Sequence, residues 1–321
     1  MSIQLIPYNT IDKQKWDACI TNASNGVVYA YSFYLDAMAK NWEALVLNDY
    51  EMVMPLTYNK KYGIYYLYQP PFCAQLGVFG NELTKEIVEK FIATIPLKYK
   101  YWDVYLNYKN IFSINNFYVR NNYTLGLDKS YEELYVTFKE NVKRNIKKCV
   151  QLNCIIKKNI LIDDVIELAK EQAIHFSALT SVDFAVIKIV YNHLLQLNQA
   201  ITFGVYLNEQ LVASAAFFFS NNRAYYILVG NHPNGKAIGA SHTLINEFIK
   251  AYANKNLVLD FEGSDINSLA FFYSSFGALE EKYPALRYNK LPWYIRWAKN
   301  NWAFKIGKLF FLFVLCNFLL L

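Results

Sequence analysis

The chain has 321 residues, enough for about two domains, and its 54% hydrophobic content is ample for two cores. A net charge of +6 suits anionic substrates or a membrane surface without requiring nucleic acid. Five scattered cysteines (Cys19, Cys73, Cys149, Cys154, Cys316) with no C-x-x-C argue against a disulfide framework or a zinc site and fit a reducing cytoplasm.

The opening MSIQLIPYNT lacks the basic-then-apolar run of a signal peptide. Ile3–Ile6 reads as a strand and 11–20 as a helix with Trp16 and Ile20 inward, followed by a helix over 31–39. Strands follow at 44–47, 52–58 and 64–68, separated by Asn48-Asp49 and Tyr62-Gly63. Pro70 and Pro71 exclude a central strand from QPPFCAQLGVFG. That stretch is either a rigid turn packed on Phe72 or a cleft lining in which Gln69, Gln75 and Gly77 meet a substrate. A helix over 82–94 and a strand over 101–106 complete the first half.

Ser130 with Glu133 has the spacing of a capping box. Leu134, Phe138, Val142 and Ile146 continue at intervals of four, which predicts one helix over 131–149. Its other face carries Lys139, Lys143, Arg144, Lys147 and Lys148, either a solvated surface or a contact for phosphate or membrane. Helices over 160–176 and 184–197 lead to a meander of strands at 200–207, 211–219 and 224–230, turned by Asn208-Glu209-Gln210 and Asn221-Asn222. His175 and His193 fall in helices as packing residues, and no histidine spacing suits a metal.

The run 225–253, YYILVGNHPNGKAIGASHTLINEFIKAYA, predicts a strand, a loop rich in Gly and Asn, and a helix with Leu244, Ile245, Phe248 and Tyr252 on one face. A glycine-containing turn at a helix start presents free N–H groups and the positive end of the helix dipole, which suits a pyrophosphate. His232 in that loop is placed to touch a phosphate. A strand at 257–259 then ends on Asp260-Phe261-Glu262. Asp265 or Asn267 caps a helix in which Leu269, Phe272 and Phe276 form an apolar stripe, with Tyr273 at its edge. Gly277 stops it. Two carboxylates therefore stand at the carboxyl end of a strand, where open α/β sheets place their chemistry. The competing reading is that they cap loops and that Tyr273 is a rim aromatic.

These residues carry a resemblance. The 234–239 turn is similar to the coenzyme-A loop of the GNAT acetyltransferases, Arg/Gln-x-x-Gly-x-Gly/Ala. Asn234 stands at the Arg/Gln position and Ala237 at the first Gly, both departures, while Gly239 matches the second. Asn267, Ala270, Tyr273 and Gly277 resemble the Asn-x-x-Ala…Tyr…Gly pattern downstream, whose Tyr protonates the coenzyme's thiolate. DFEGS at 260–264, FGA at 276–278 and the basic ENVKRNIKKC at 140–149 resemble the FemAB-like branch, which doubles the GNAT fold in one chain.

The resemblance implies an α/β (α+β) fold of two GNAT-like domains, each a twisted mixed sheet flanked by helices, joined by a basic helix. The expected boundaries are 1–128 for a degenerate first domain, 129–150 for the connecting helix, 151–292 for the acyltransferase domain and 293–321 for a tail. Fem transferases attach amino acids from aminoacyl-tRNA to peptidoglycan precursors and carry a Phe-Lys pair whose Lys would fall at Tyr273. Its absence favours a coenzyme-A thioester.

The implied function is an N-acyltransferase. Val229, Asn234, Gly235, Lys236, Ala237, Gly239 and Ala240 would hold acyl-coenzyme A, Glu262 or Asp260 would take the amine's proton, and Tyr273 would protonate sulfur. The acceptor would be an amino sugar, a cell-wall peptide or a lipid-linked precursor. A tRNA-dependent transferase and a non-catalytic membrane-associated binding protein are the alternatives. The tail pairs a basic-aromatic run, 293–308, with an apolar one, 309–321. At 1.5 Å per residue the apolar run is about 20 Å long as a helix, too short to span a bilayer. It reads as an interfacial anchor on the inner face of the membrane or as a packed helix.

Overall fold

The computed structural model describes residues 2–110, 117–173, 179–263 and 265–292. The expected tail anchor, His175 and Ser264 lie outside them. Contacts divide the described chain into two compact units: residues up to 120 together with those from 282 onward (unit 1), and residues 121–281 (unit 2).

Unit 1 begins with β1 (Ile3–Ile6), α1 (Lys13–Asn22), α2 (Ser32–Met38), β2 (Asn41–Leu47), β3 (Met52–Lys61) and β4 (Ile64–Tyr68). The short β5 (Phe79–Gly80), α3 (Lys85–Thr94), β6 (Tyr99–Tyr105) and the start of β7 (Phe117–Gly126) follow. Asp12 starts α1 by accepting from the N–H groups of Gln14 and Lys15, and Trp16 and Ile20 are its buried residues, as the sequence spacing predicts. Val88 and Phe91 of α3 close a core against Leu45, Met54, Tyr99 and Leu106.

Unit 2 continues from Asn121 through α4 (Tyr131–Thr137), α5 (Glu140–Gln151), β8 (Ile155–Lys158), α6 (Ile162–Ala173), α7 (Ser181–Gln196), β9 (Ala200–Leu207), β10 (Gln210–Ser220) and β11 (Arg223–Asn231). It ends with α8 (Pro233–Ile238), α9 (Ala240–Tyr252), β12 (Val258–Asp260), α10 (Asn267–Ser274) and the first residues of β13 (Leu279–Asn289). Within unit 2 the strand order is β7-β12-β11-β10-β9-β8, antiparallel except for β11 and β12. Asn208 and Glu209, and likewise Asn221 and Asn222, take the positive φ that tight hairpins require. The core joins Val142 and Cys149 of α5, Leu244 and Phe248 of α9, and Phe217, Tyr226 and Phe261 of the sheet.

The rest of β13 belongs to unit 1, where Ala285–Asn289 pair with Tyr105–Tyr101 of β6. The order there is β1-β2-β3-β4-β6-β13, with β5 on β3 and the β4–β6 pair parallel. The unit boundaries therefore differ from those expected: the second unit starts at 121, includes the basic helix, and ends at 281.

Two predicted elements are corrected. The single helix over 131–149 is broken at Phe138 and Lys139, whose backbones are extended. Phe138 turns its ring onto Phe276 at 5.4 Å, and the Lys139 N–H donates to the Ser275 carbonyl at 2.8 Å, so packing on the segment after α10 outweighs helix continuity. The predicted Gly/Asn loop is also mostly helix: α8 fills it, with Pro at its first turn and Gly239 in the left-handed region (φ 74°) between α8 and α9.

Candidate functional site

The site is built where two parallel strands part. β11 and β12 pair at Arg223/Val258, Ala224/Leu259 and Tyr225/Asp260, and there the ladder stops. Phe261 turns its N–H to the Tyr123 carbonyl of β7 at 3.0 Å, while β11 runs on to Asn231 beside β10. At the same level the β10–β11 register slips, so that Ile227 is an extra residue between Tyr226 and Leu228. A bulge of this kind bends a strand and re-aims its neighbours.

An aromatic group fills the crotch of this fork. The Phe261 ring stacks on Tyr273 (centroids 4.7 Å, 24°) and lies edge-on to Tyr226 at 6.2 Å. Tyr273 is 1% exposed, so it is a core residue and not the rim aromatic its helical position suggested. α10 places it there without the predicted side-chain cap. Ile266 occupies the cap position, and Asp265 accepts instead from the Asn121 N–H at 3.0 Å.

Asp260 and Glu262 occupy opposite environments. Asp260 is buried and accepts from Arg223 Nη1 at 2.7 Å, Asn122 Nδ2 at 2.9 Å and the Glu262 N–H at 2.9 Å. Arg223 also grips Glu281 through Nη2 at 2.7 Å. With a cation, an amide and a backbone N–H already on its oxygens, Asp260 has the geometry of a residue that holds the turn. Glu262, two residues on, has a left-handed backbone (φ 66°). The residue keeps some exposed surface, yet its carboxyl is enclosed, and burial pushes its pKa well above the ordinary 4.5. A carboxyl that binds a proton more readily than usual is suited to general-base work.

Two groups escaped the sequence reading. Tyr226 is fully buried, its hydroxyl has no hydrogen-bond partner among the described residues, and burial together with the nearby Tyr273 raises its pKa well above 10. Nothing distinguished it among 27 tyrosines. His242, in the first turn of α9, lies edge-on to Phe272 at 4.7 Å, with its ring nitrogens 3.3 and 3.4 Å from Asn145 Nδ2. Burial lowers its pKa to about 4, so it is neutral.

The predicted coenzyme residues lie along one path at the end of β11. Val229 is buried in the sheet. Asn234 is exposed, and Gly235 is pressed so closely on β10 that a Cβ would come within 2.0 Å of the Val212 carbonyl oxygen. Lys236 is half-buried, and the Ala237 carbonyl accepts from Lys148 Nζ of α5 at 2.9 Å. Gly239 abuts Asn145 of α5, whose Cβ would be 2.5 Å from an added Cβ, and Ala240 is fully buried. α5 thus covers the first turn of α9. His232 caps α8 through Nδ1, which accepts the Asn234 N–H at 3.2 Å.

Gln69 and Gln75 lie in unit 1. Gln69 donates to the Cys73 carbonyl at 2.8 Å and accepts the Tyr105 N–H at 3.2 Å, while Gln75 accepts the Tyr108 N–H at 2.8 Å. Both brace the double-proline loop, and Gln69 and Gly77 also line a narrow crevice. Among the described residues no group of His, Cys, Asp and Glu is arranged to hold a metal.

No family model matches the chain, and no curated protein matches its sequence. Solved structures do. A FemX structure superposes with a TM-score of 0.63 at 13% identity, over 88% of this chain and 97% of that one. The fold is that of the FemAB-like tandem GNAT proteins. A conserved protein of unknown function from Bacteroides thetaiotaomicron superposes with a TM-score of 0.57 at 12% identity, over 88% of this chain and 99% of that one. A tandem GNAT protein from the clavulanic acid biosynthesis pathway gives 0.51 at 8%, over 91% and 99%.

Proposed function

We propose that this FemAB-like protein is an N-acyltransferase that joins an activated acyl group to an amine of a cell-envelope or glycan precursor. The observation that carries the reading is the fork between β11 and β12, with an enclosed carboxyl of raised pKa and two buried tyrosines gathered at it. In the reaction the amine nitrogen attacks the acyl carbon, the N–C bond forms and the bond to the leaving group breaks. Glu262 takes the proton that the amine loses. Tyr273 gives a proton to the leaving atom and recovers one from solvent or from product. Such proton transfers contribute about 10²–10⁴-fold each. Asp260 acts indirectly, by fixing the turn that carries Glu262.

The first reading of the donor is acyl-coenzyme A, with its pyrophosphate at the Gly235–Ala240 turn beside Lys148 and Lys236. One observation favours a second reading, an aminoacyl-tRNA. The turn is already covered by Asn145 and Lys148 of α5, so a coenzyme must displace side chains that an aminoacyl ester need not touch. Calorimetric titration with acetyl-coenzyme A and, separately, with aminoacylated tRNA decides between them. Saturable binding of the coenzyme, weakened by Lys148→Ala, supports the first reading; binding of tRNA alone supports the second. Binding of neither, together with no acyl transfer to envelope amines, overturns the enzyme reading and leaves a non-catalytic binding protein.

A further inference from the structure

The surface where α4, α5 and α10 of unit 2 meet combines two properties seldom found together. It is greasy: Val136 is 76% exposed, Phe271 48% and Leu279 74%. It is also cationic: Arg144, Lys147 and Lys148 are exposed along the outer side of α5, with Lys139 at its start. Hydrogen bonding and packing bring the parts into one patch. The Lys139 N–H holds the Ser275 carbonyl, and Thr137 sits against Gly277, two residues before Leu279. The single acid on α5, Glu140, is 3.2 Å from Lys143. Three further acids are exposed on these elements, Glu280 beside Leu279 and Glu132 and Glu133 one turn before Val136 on α4, where Glu133 is engaged in the capping box with Ser130.

The lysines here lie over rings. Lys139 Nζ is 4.7 Å from the centre of Phe271, and Lys143 Nζ is 5.8 Å from that of Tyr135. A long side chain can swing its ammonium away to meet a phosphate and so uncover the ring beneath. A partner that takes both the ammonium groups and the uncovered apolar side chains must present anionic groups above a hydrocarbon layer. Nucleic acid offers phosphates, and bases that stack on rings, but nothing for the exposed aliphatic Val136 and Leu279.

We propose that this patch docks unit 2 on an anionic lipid surface, with Phe271, Val136 and Leu279 entering the headgroup boundary and the α5 cations resting on lipid phosphates. Lys148, whose Nζ is held by the Ala237 carbonyl beside the proposed donor turn, lies at the margin of the patch, so the docking rests on Lys139, Arg144 and Lys147 and does not require either donor.

The test is cosedimentation of the full-length protein with vesicles of phosphatidylcholine alone or mixed with phosphatidylglycerol, at low and high salt. Wild type is expected to bind the mixed vesicles in a salt-sensitive way and to leave the neutral ones in suspension. An apolar variant (Val136→Ser with Phe271→Ser) and a charge variant (Arg144→Glu with Lys147→Glu) should each lower the vesicle-bound fraction at least about tenfold while keeping the wild-type melting temperature. Variants that bind like wild type would move the contact to residues 293–321 and overturn the proposal. So would a charge variant that loses affinity for RNA with vesicle binding unchanged, or a wild type that binds neither vesicle.

Discussion

At the scale of single residues, the fork separates side chains that hold from side chains that react, and pH distinguishes them. Glu262 binds its proton more tightly in the folded protein than in the unfolded chain, so its contribution favours folding at low pH and is lost as pH rises through 4.5 toward the raised value. Glu262→Gln should therefore melt higher than wild type at pH 7, with the advantage shrinking toward pH 4, while turnover falls about 10²–10⁴-fold. A variant that melts lower at every pH would show that the carboxylate is a structural acceptor. His242 has the opposite sign. Its folded pKa of about 4 lies below the ordinary 6.5, so the stability tied to its neutral form is complete above 6.5 and drains away as pH falls toward 4. That amounts to about 3 kcal/mol at the acid end. His242→Gln should flatten this limb of a pH–stability curve measured by urea unfolding.

Tyr273→Phe and Tyr226→Phe make the second pair of tests. Both rings are buried, so both variants keep the packing and lose one hydroxyl each. Tyr226 has no partner for that hydroxyl among the described residues, and its removal should leave stability unchanged or slightly raised, because an unsatisfied buried hydroxyl costs about 1–3 kcal/mol. If Tyr273 is the proton donor, Tyr273→Phe should lower kcat and kcat/KM together, with little change in donor affinity. Wild-type turnover by Tyr273→Phe would remove it from the mechanism.

At the scale of elements, much was legible where the signal is local. The Ser130–Glu133 box at α4, the Asn-led turns of the hairpins and Gly277 after α10 (φ 82°) are short-range devices, and each stands where the sequence placed it, while Asp12 caps α1 at a position the predicted helix over 11–20 includes. The break between α4 and α5 was hidden because its cause, Phe276 and Ser275, lies far along the chain. The burial of Tyr273 was hidden for the same reason: a helical wheel put it at the stripe's edge, and Phe261 supplied a second wall. Gly239 gives the prediction at this scale. It combines a left-handed backbone with contact against Asn145, so Gly239→Ala should cost about 1–2 kcal/mol from backbone strain alone. Trimming Asn145 to Ala in the same protein should recover only the part due to its Cγ and Oδ1, because its Cβ stays 2.5 Å from the added methyl, as chemical denaturation of the four-member cycle would show.

At the scale of the whole molecule, the doubled architecture could be inferred, but the residues at which one unit gives way to the other could not. β7 (FYVRNNYTLG) and β13 (LEEKYPALRYN) lack the alternation of a half-buried strand, and their partners are remote in sequence. Within unit 2, Arg223 ties Asp260 to Glu281 although the three are far apart in sequence, and two of the groups are almost fully buried. Arg223→Met should cost about 3–5 kcal/mol by leaving carboxylates enclosed without their cation. A melting temperature within a degree or two of wild type would contradict this. Unit 1 takes its last strand from residues that follow unit 2. A fragment ending at 128 should thus be markedly less stable to urea than unit 1 in the intact chain, because the β6 edge has lost Ala285–Asn289.

The returning strand also sets a timetable. On the ribosome β6 is complete at Tyr105, but the residues that pair with its open edge are the last of β13, ending at Asn289. At about 5–20 residues per second, roughly 10–40 s pass between the two. Unit 2 is spelled out in full during that interval, so the second unit can close before the first. Until then the nascent protein carries a bare strand edge, the feature that most readily recruits a foreign chain. Ribosomes stalled near residue 250 should hold unit 1 in a protease-sensitive, chaperone-bound state, and stalling late enough for Asn289 to clear the exit tunnel should end it.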